Sequence, residues 1–146
     1  MTVFRTAVLG ALYVCQAMAA FELIHERESQ YNYIRVTQVG SERTLEFRRS
    51  GSTYRESAVD VTDPLRLVLP YSEKMFAGFV FAPEPKEMLM VGLGAGVCPR
   101  VMTHYFPGLT CDVIELDPAV VEVAEEHFGF QQSPSIHVIV RDGRVG

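Results

Sequence analysis

Three glycines in alternate positions, Gly92, Gly94 and Gly96, follow the apolar run 88–91, and nineteen residues after Gly96 an acid, Glu115, closes a second apolar run. A glycine-rich turn between a strand and a helix, with a carboxylate at the end of the next strand, is an arrangement that holds a nucleotide. The glycines let the backbone approach the ligand, and the acid accepts hydrogen bonds from both ribose hydroxyls. The spacing narrows the ligand. In the dinucleotide fingerprint G-x-G-x-x-G/A, the third position falls on Val97 counted from Gly92 and on Pro99 counted from Gly94, so neither register fits. What remains is G-x-G-x-G, a tighter loop suited to an adenosyl group without a pyrophosphate. The plain alternative is a glycine turn that only joins a strand to a helix; Glu115 at the second strand end argues against it. A further acid, Asp142, ends a third apolar run on the same edge. It can accept a hydrogen bond from an adenine amino group, or Asp142-Gly143 is simply a turn.

The elements that must position these residues follow from periodicity. The pattern predicts a strand over 88–91, a helix over 97–105, a strand over 111–115, a helix capped by Asp117 and begun by Pro118 that runs to about residue 128, and a strand over 136–140. Val120, Val123 and Ala124 are expected to face inward. Alternating strands and helices with nearly continuous apolar strands predict an α/β fold, a doubly wound parallel sheet covered on both faces. Upstream, residues 31–61 predict a small antiparallel sheet with turns at Gly40-Ser41 and Ser50-Gly51-Ser52. Residues 22–30 are polar and mixed, with His25 expected in solvent. Asp63-Pro64 reads as a helix start, Pro70 as a break, and 72–81 as a helix with Met75, Phe76, Phe79 and Val80 on one side. Pro83-Glu84-Pro85 marks a domain boundary.

The chain has 146 residues, 48% of them hydrophobic, and a formal net charge of −5. That length and apolar content suit a packed domain rather than a disordered segment. The acidity, with no Lys/Arg cluster, argues against nucleic acid as a partner. Arg43, Arg48, Arg49 and Arg55 alternate with acids and read as solvated strand faces. Cys15, Cys98 and Cys111 form no C-x-x-C pair, and no His/Cys cluster has zinc spacing, so no metal is expected and the cysteines of the core read as small apolar residues. At the N-terminus, Arg5, the apolar run 7–15 and Ala17-Met18-Ala19 read as a signal peptide over 1–20, cleaved after Ala19 or Ala20. The chain is then exported or periplasmic and meets a membrane only during export. The alternative is a buried N-terminal helix in a cytoplasmic protein.

Several further segments carry a family resemblance. Ser29-Gln30-Tyr31-Asn32-Tyr33-Ile34 resembles the S-x-Y-Q-x-I motif of the spermidine synthase (polyamine aminopropyltransferase) family. Val113-Ile114-Glu115-Leu116-Asp117-Pro118 is similar to its V-x-E-x-D-P, and Val138-Ile139-Val140-Arg141-Asp142-Gly143 to its D-G strand. Pro83-Glu84-Pro85-Lys86 precedes the glycine loop as in the family. The resemblance covers about residues 26–146. It implies a small N-terminal β-domain, here 21–82 with a linking helix, followed from residue 83 by a Rossmann-like domain of the methyltransferase type. It also implies decarboxylated S-adenosylmethionine or S-adenosylmethionine as cofactor, a small-molecule amine as substrate, and a homodimer. Gly92, Gly94 and Gly96 then form the cofactor loop, Glu115 the ribose clamp and Asp142 the adenine contact, while Asn32 stands where the family has Gln. Tyr71 and Glu73 match the ends of the family's substrate-side Y-H-E, with Ser72 replacing His. Ala95 stands where the loop G-G-G-D-G-G has the Asp that holds the aminopropyl amine. The family's catalytic D-x-x-D lies after the D-G strand, so the catalytic acid is expected beyond Gly146.

Three functions are consistent with these residues: aminopropyl transfer in the complete fold, S-adenosylmethionine-dependent methyl transfer, and an exported, catalytically inactive relative that binds a ligand. Residues 86–146 supply only three strands and two helices of a larger sheet, so the doubly wound domain is expected to be incomplete, with the elements covering one face missing. The sequence therefore reads as truncated at its C-terminus, or as folding poorly alone.

Overall fold

The computed structural model describes residues 20–144; the proposed signal segment, apart from Ala20, lies outside the described residues. Four strands open the fold: β1 (Phe21–Glu28), β2 (Tyr33–Val39), β3 (Glu42–Arg49) and β4 (Ser52–Asp60). They pair antiparallel in the order β1-β2-β3-β4. Alternation sets the buried face: Ile34 and Val36 of β2 and Leu45 and Phe47 of β3 point inward. Tight turns at Gly40 (φ +61) and Ser50-Gly51 (φ +50 and +80) join the strands.

Strand β1 is a departure from the expectation of a patternless, polar segment. It is an edge strand, where charged residues are tolerated and guard against further pairing. A register shift between Leu23 and His25 also breaks its alternation. His25 is not free in solvent: its ring lies 4.7 Å from that of His127.

The connecting segment also differs. No helix starts at Pro64; Asp63 instead forms an isolated bridge with Asp60. Pro70 does not break a helix but occupies the first turn of α1 (Pro70–Met75), where its missing N–H costs nothing. The expected helix over 72–81 changes at Phe76 into a 3-10 segment, Phe76–Val80. The inward face is correspondingly shorter, and Val80 and Phe81 are 78% and 90% exposed.

The second half follows the predicted order closely. Strands β5 (Glu87–Val91), β6 (Thr110–Glu115) and β7 (Ile136–Val140) form a parallel sheet in the order β5-β6-β7, with α2 (Val97–Tyr105) and α3 (Pro118–Phe128) as crossovers. Both helices lie between the two sheets. Val101, Val120 and Val123 pack with Ile34, Val36, Leu45 and Val59 of the antiparallel sheet. Cys98, Met102, Val121 and Ala124 pack with Met90, Cys111 and Val113 of the parallel sheet. Neighbouring parallel strands joined in sequence with one crossover hand put both helices on one face. The other face lacks helical cover among the described residues, as expected of an incomplete doubly wound sheet, and Leu89, Val91 and Ile139 are exposed.

Arg43 is likewise not a solvated strand residue. It donates to the carbonyl of His127 at the end of α3. Arg100 donates to the neighbouring carbonyl of Phe128 and to that of Pro64. Both cations satisfy carbonyls left open at the helix C-terminus and tie α3 to the rest of the fold.

Candidate functional site

The three loop glycines all have positive φ, +92, +59 and +70 in order, but they serve different neighbours. Gly96 begins α2, and a Cβ there would stand 2.2 Å from Cδ2 of the buried Phe130. Gly94 abuts the antiparallel sheet, with its Cβ position 3.2 Å from Ser57 Cβ. At Gly92 nothing lies within 4 Å, so only this glycine leaves open space. Leu93, between the first two, is buried and anchors the loop.

Glu115 ends β6 and is 8% exposed. Its Oε2 accepts the Leu93 N–H at 2.7 Å, and its Oε1 accepts the Asp117 N–H at 2.9 Å. The same carboxylate thus holds the glycine loop against the start of α3, and each oxygen keeps a lone pair for a ligand. Asp117 is the cap of α3: its Oδ1 accepts the Ala119 N–H at 3.0 Å. Its Oδ2 accepts Ser29 Oγ–H and, at 3.1 Å, Asn32 Nδ2–H, both from the turn between β1 and β2. Asn32 Oδ1 in turn accepts from Arg49 at 3.0 Å.

A cleft of about 510 Å³ lies between the two sheets. Gly92, Gly94, Glu115, Asn32 and Tyr71 all line it. Tyr71 donates its hydroxyl to the Glu56 carbonyl at 2.8 Å, and partial burial, with Cys98 and Glu56 nearby, raises its pKa. Cys98 also lines the cleft; burial pushes its thiol up to about 11, so it is a neutral, apolar wall. Cys111 is pushed up to about 11 as well, first by burial.

Three of the expected site residues, Glu73, Asp142 and Gly96, do not line this cleft. Glu73 is exposed and does not line it, because residues two apart on a helix cannot share a face with Tyr71. Asp142 lies in a neighbouring hollow of about 420 Å³ with Tyr31 and Arg141; Leu116 borders both spaces. Its carboxylate is taken by Arg144, which donates from Nη2 at 2.7 Å and from Nε and the backbone N–H at 3.0 Å. Those hydrogen bonds hold its pKa down at about 2. Gly96 does not line the cleft either; its role is to accommodate Phe130. Ala95 is fully buried among Ile34 and Leu45, so its methyl belongs to the core.

Sequence reasoning missed the wall contributed by β3 and β4. Arg49, Arg55, Glu56 and Ser57 all line the cleft. Arg55 pairs with Glu42, whereas Arg49 has no carboxylate partner among the described residues. No single-residue signal marks them, because only the docking of the two sheets brings them to the loop. Among the described residues, no group of three or more His, Cys, Asp or Glu could hold a metal ion.

An antiparallel sheet packs over a parallel α/β unit, with a cleft bounded by a glycine turn and a strand-end carboxylate. A probable spermidine synthase from Corynebacterium glutamicum has this fold, with a TM-score of 0.69 over 82% of this chain and 45% of that one, at 19% identity. The chain is 32% identical over 152 residues to a polyamine aminopropyltransferase of Vibrio vulnificus, covering 99% of this chain and 50% of the relative. It is also 34% identical over 88 residues to the human eEF1A lysine and N-terminal methyltransferase, covering 56% of this chain and 13% of that protein. No family model matches. The chain belongs to the spermidine synthase (polyamine aminopropyltransferase) family, and it spans about half the length of the polyamine aminopropyltransferase it matches.

Proposed function

We propose that the cleft binds an S-adenosyl cofactor, and that the chain supplies the cofactor-holding part of an aminopropyl-transferring enzyme acting on a small amine. The observation that carries this reading is Glu115. It is a nearly buried carboxylate, fixed by two backbone N–H groups, that lines the same cleft as the open Gly92 turn. The residues fit such a cofactor: a side chain at Gly92 would fill space that no protein atom occupies.

In this reading Glu115 accepts the ribose hydroxyls, Asn32 lies beside them, and Gly92 and Gly94 let the adenosyl group approach the backbone. The sulfonium of the bound cofactor supplies an electrophilic carbon for the amine. Tyr71, which lines the same cleft, orients the acceptor amine. Such residues contribute by positioning. No residue of the described cleft is assigned as the catalytic base, and Asp142 Oδ2, which accepts only from Arg144 Nη2, keeps a lone pair for an adenine amino group.

Methyl transfer is the second reading. Ala95 favours it, because the loop offers no carboxylate for an aminopropyl ammonium, and so does the similarity to the human methyltransferase. Titration calorimetry on the whole chain tests both. Binding of decarboxylated S-adenosylmethionine in preference to S-adenosylmethionine supports aminopropyl transfer, and the reverse order supports methyl transfer. A folded chain that binds neither sinks the cofactor reading.

A further inference from the structure

The turn between β1 and β2 reaches a carboxylate far away in sequence. Ser29 and Asn32 both donate to Oδ2 of Asp117, 88 and 85 residues on. The cap of α3 needs only Oδ1, which the Ala119 N–H occupies. Asp117 is 1% exposed, so without the turn its Oδ2 would be buried and unsatisfied. The Ser29 hydroxyl is itself oriented, because its oxygen accepts the Asn32 N–H at 2.9 Å. Asp117 then passes the constraint on, since its own N–H is one of the two donors that fix Glu115.

From this chain of contacts we infer that Ser29 is a positioning residue for Glu115. Through Asp117 the antiparallel sheet sets the carboxylate that receives the ribose, so the sheet is a working part of the binding site as well as its wall. A purely structural Ser29 would hold the two sheets together and affect every ligand alike. A positioning Ser29 affects only the ligand groups that Glu115 touches. The inference rests on the adenosyl reading above.

The test compares adenosine with 2′,3′-dideoxyadenosine, which lacks the ribose hydroxyls, by titration calorimetry on the full chain. The wild type binds adenosine roughly tenfold or more tighter, the scale of hydrogen bonds to a charged acceptor. In Ser29→Ala that ratio falls to about twofold, with dideoxyadenosine affinity unchanged, and Ser29→Thr restores it. If Ser29→Ala does not fold, Ser29→Cys, with a similar size and a weaker donor, is read the same way. An unchanged ratio in the folded variant overturns the inference, as does equal weakening of both ligands. A wild type that binds neither nucleoside, or both equally, instead overturns the adenosyl reading.

Discussion

Replacing Gly96 by alanine would place a Cβ 2.2, 2.5 and 2.9 Å from Cδ2, Cγ and Cβ of Phe130. Phe130 cannot step aside freely: it is 1% exposed in the core beneath the parallel sheet and follows Gly129, whose φ of +63 ends α3. Two costs follow. A non-glycine residue at φ +70 is strained by about 1–2 kcal/mol. Forcing a buried aromatic ring to move adds about 1–3 kcal/mol. Together they come to about 2–5 kcal/mol, a large share of the roughly 5–15 kcal/mol that holds a domain folded. Gly92→Ala is the control. Its φ of +92 is also unfavourable, but its Cβ meets nothing, so only the conformational cost of about 1–2 kcal/mol applies. Urea unfolding of the two variants, read as the shift in midpoint at constant slope, measures the difference. Binding should rank in the opposite order, because the Gly92 Cβ enters the cleft. If Gly92→Ala costs as much stability as Gly96→Ala, the division of labour among the glycines is wrong.

The remaining predictions concern charge and burial. Asp142 is depressed to about 2 from its ordinary 3.8 by Arg144. Whatever the pair contributes is present in full above pH 3.8 and is lost as the pH falls through about 2. A carbonyl-carbon NMR titration should show Asp142 returning toward the ordinary carboxylate range in Arg144→Ala, and an unmoved midpoint would refute the pairing. Cys111, fully buried and pushed up to about 11, should react with a thiol reagent at neutral pH only as fast as the fold opens, whereas Cys98, which lines the cleft, should react slowly because its thiol is neutral. Rapid labelling of Cys111 in the folded chain would contradict its burial. Arg49 lines the cleft with no carboxylate partner among the described residues, so Arg49→Gln should weaken S-adenosylmethionine relative to its decarboxylated form, by up to about fivefold for an exposed charge. Equal affinities for the variant and wild type would remove Arg49 from the ligand's path.

The parallel half was legible because its signals are local. Asp117-Pro118 caps and starts α3 and Gly96 opens α2; the strands carry apolar runs bounded by turns. Glu115 could be placed at a strand end from spacing alone. What spacing could not reveal is that this acid spends two of its lone pairs on the Leu93 and Asp117 N–H groups. Strand β1 was invisible because its stability comes from pairing with β2 rather than from its own residues, and a bulge disrupts its period. The Asp142–Arg144 pair and the cleft wall from β3 and β4 depend on tertiary placement, which a linear pattern does not encode. Pro70 misled because proline breaks a helix interior but favours a first turn, and the sequence alone left the boundary open.

An adenosyl ligand is expected in the cleft with its ribose on Glu115. A crystal structure of the chain with 5′-methylthioadenosine, which keeps the adenosyl thioether and omits the variable tail, tests it most directly. Both ribose hydroxyls are expected within hydrogen-bond distance of the Glu115 carboxylate, with the ligand passing over Gly92. A ligand bound elsewhere, or ribose hydroxyls turned away from Glu115, would contradict it.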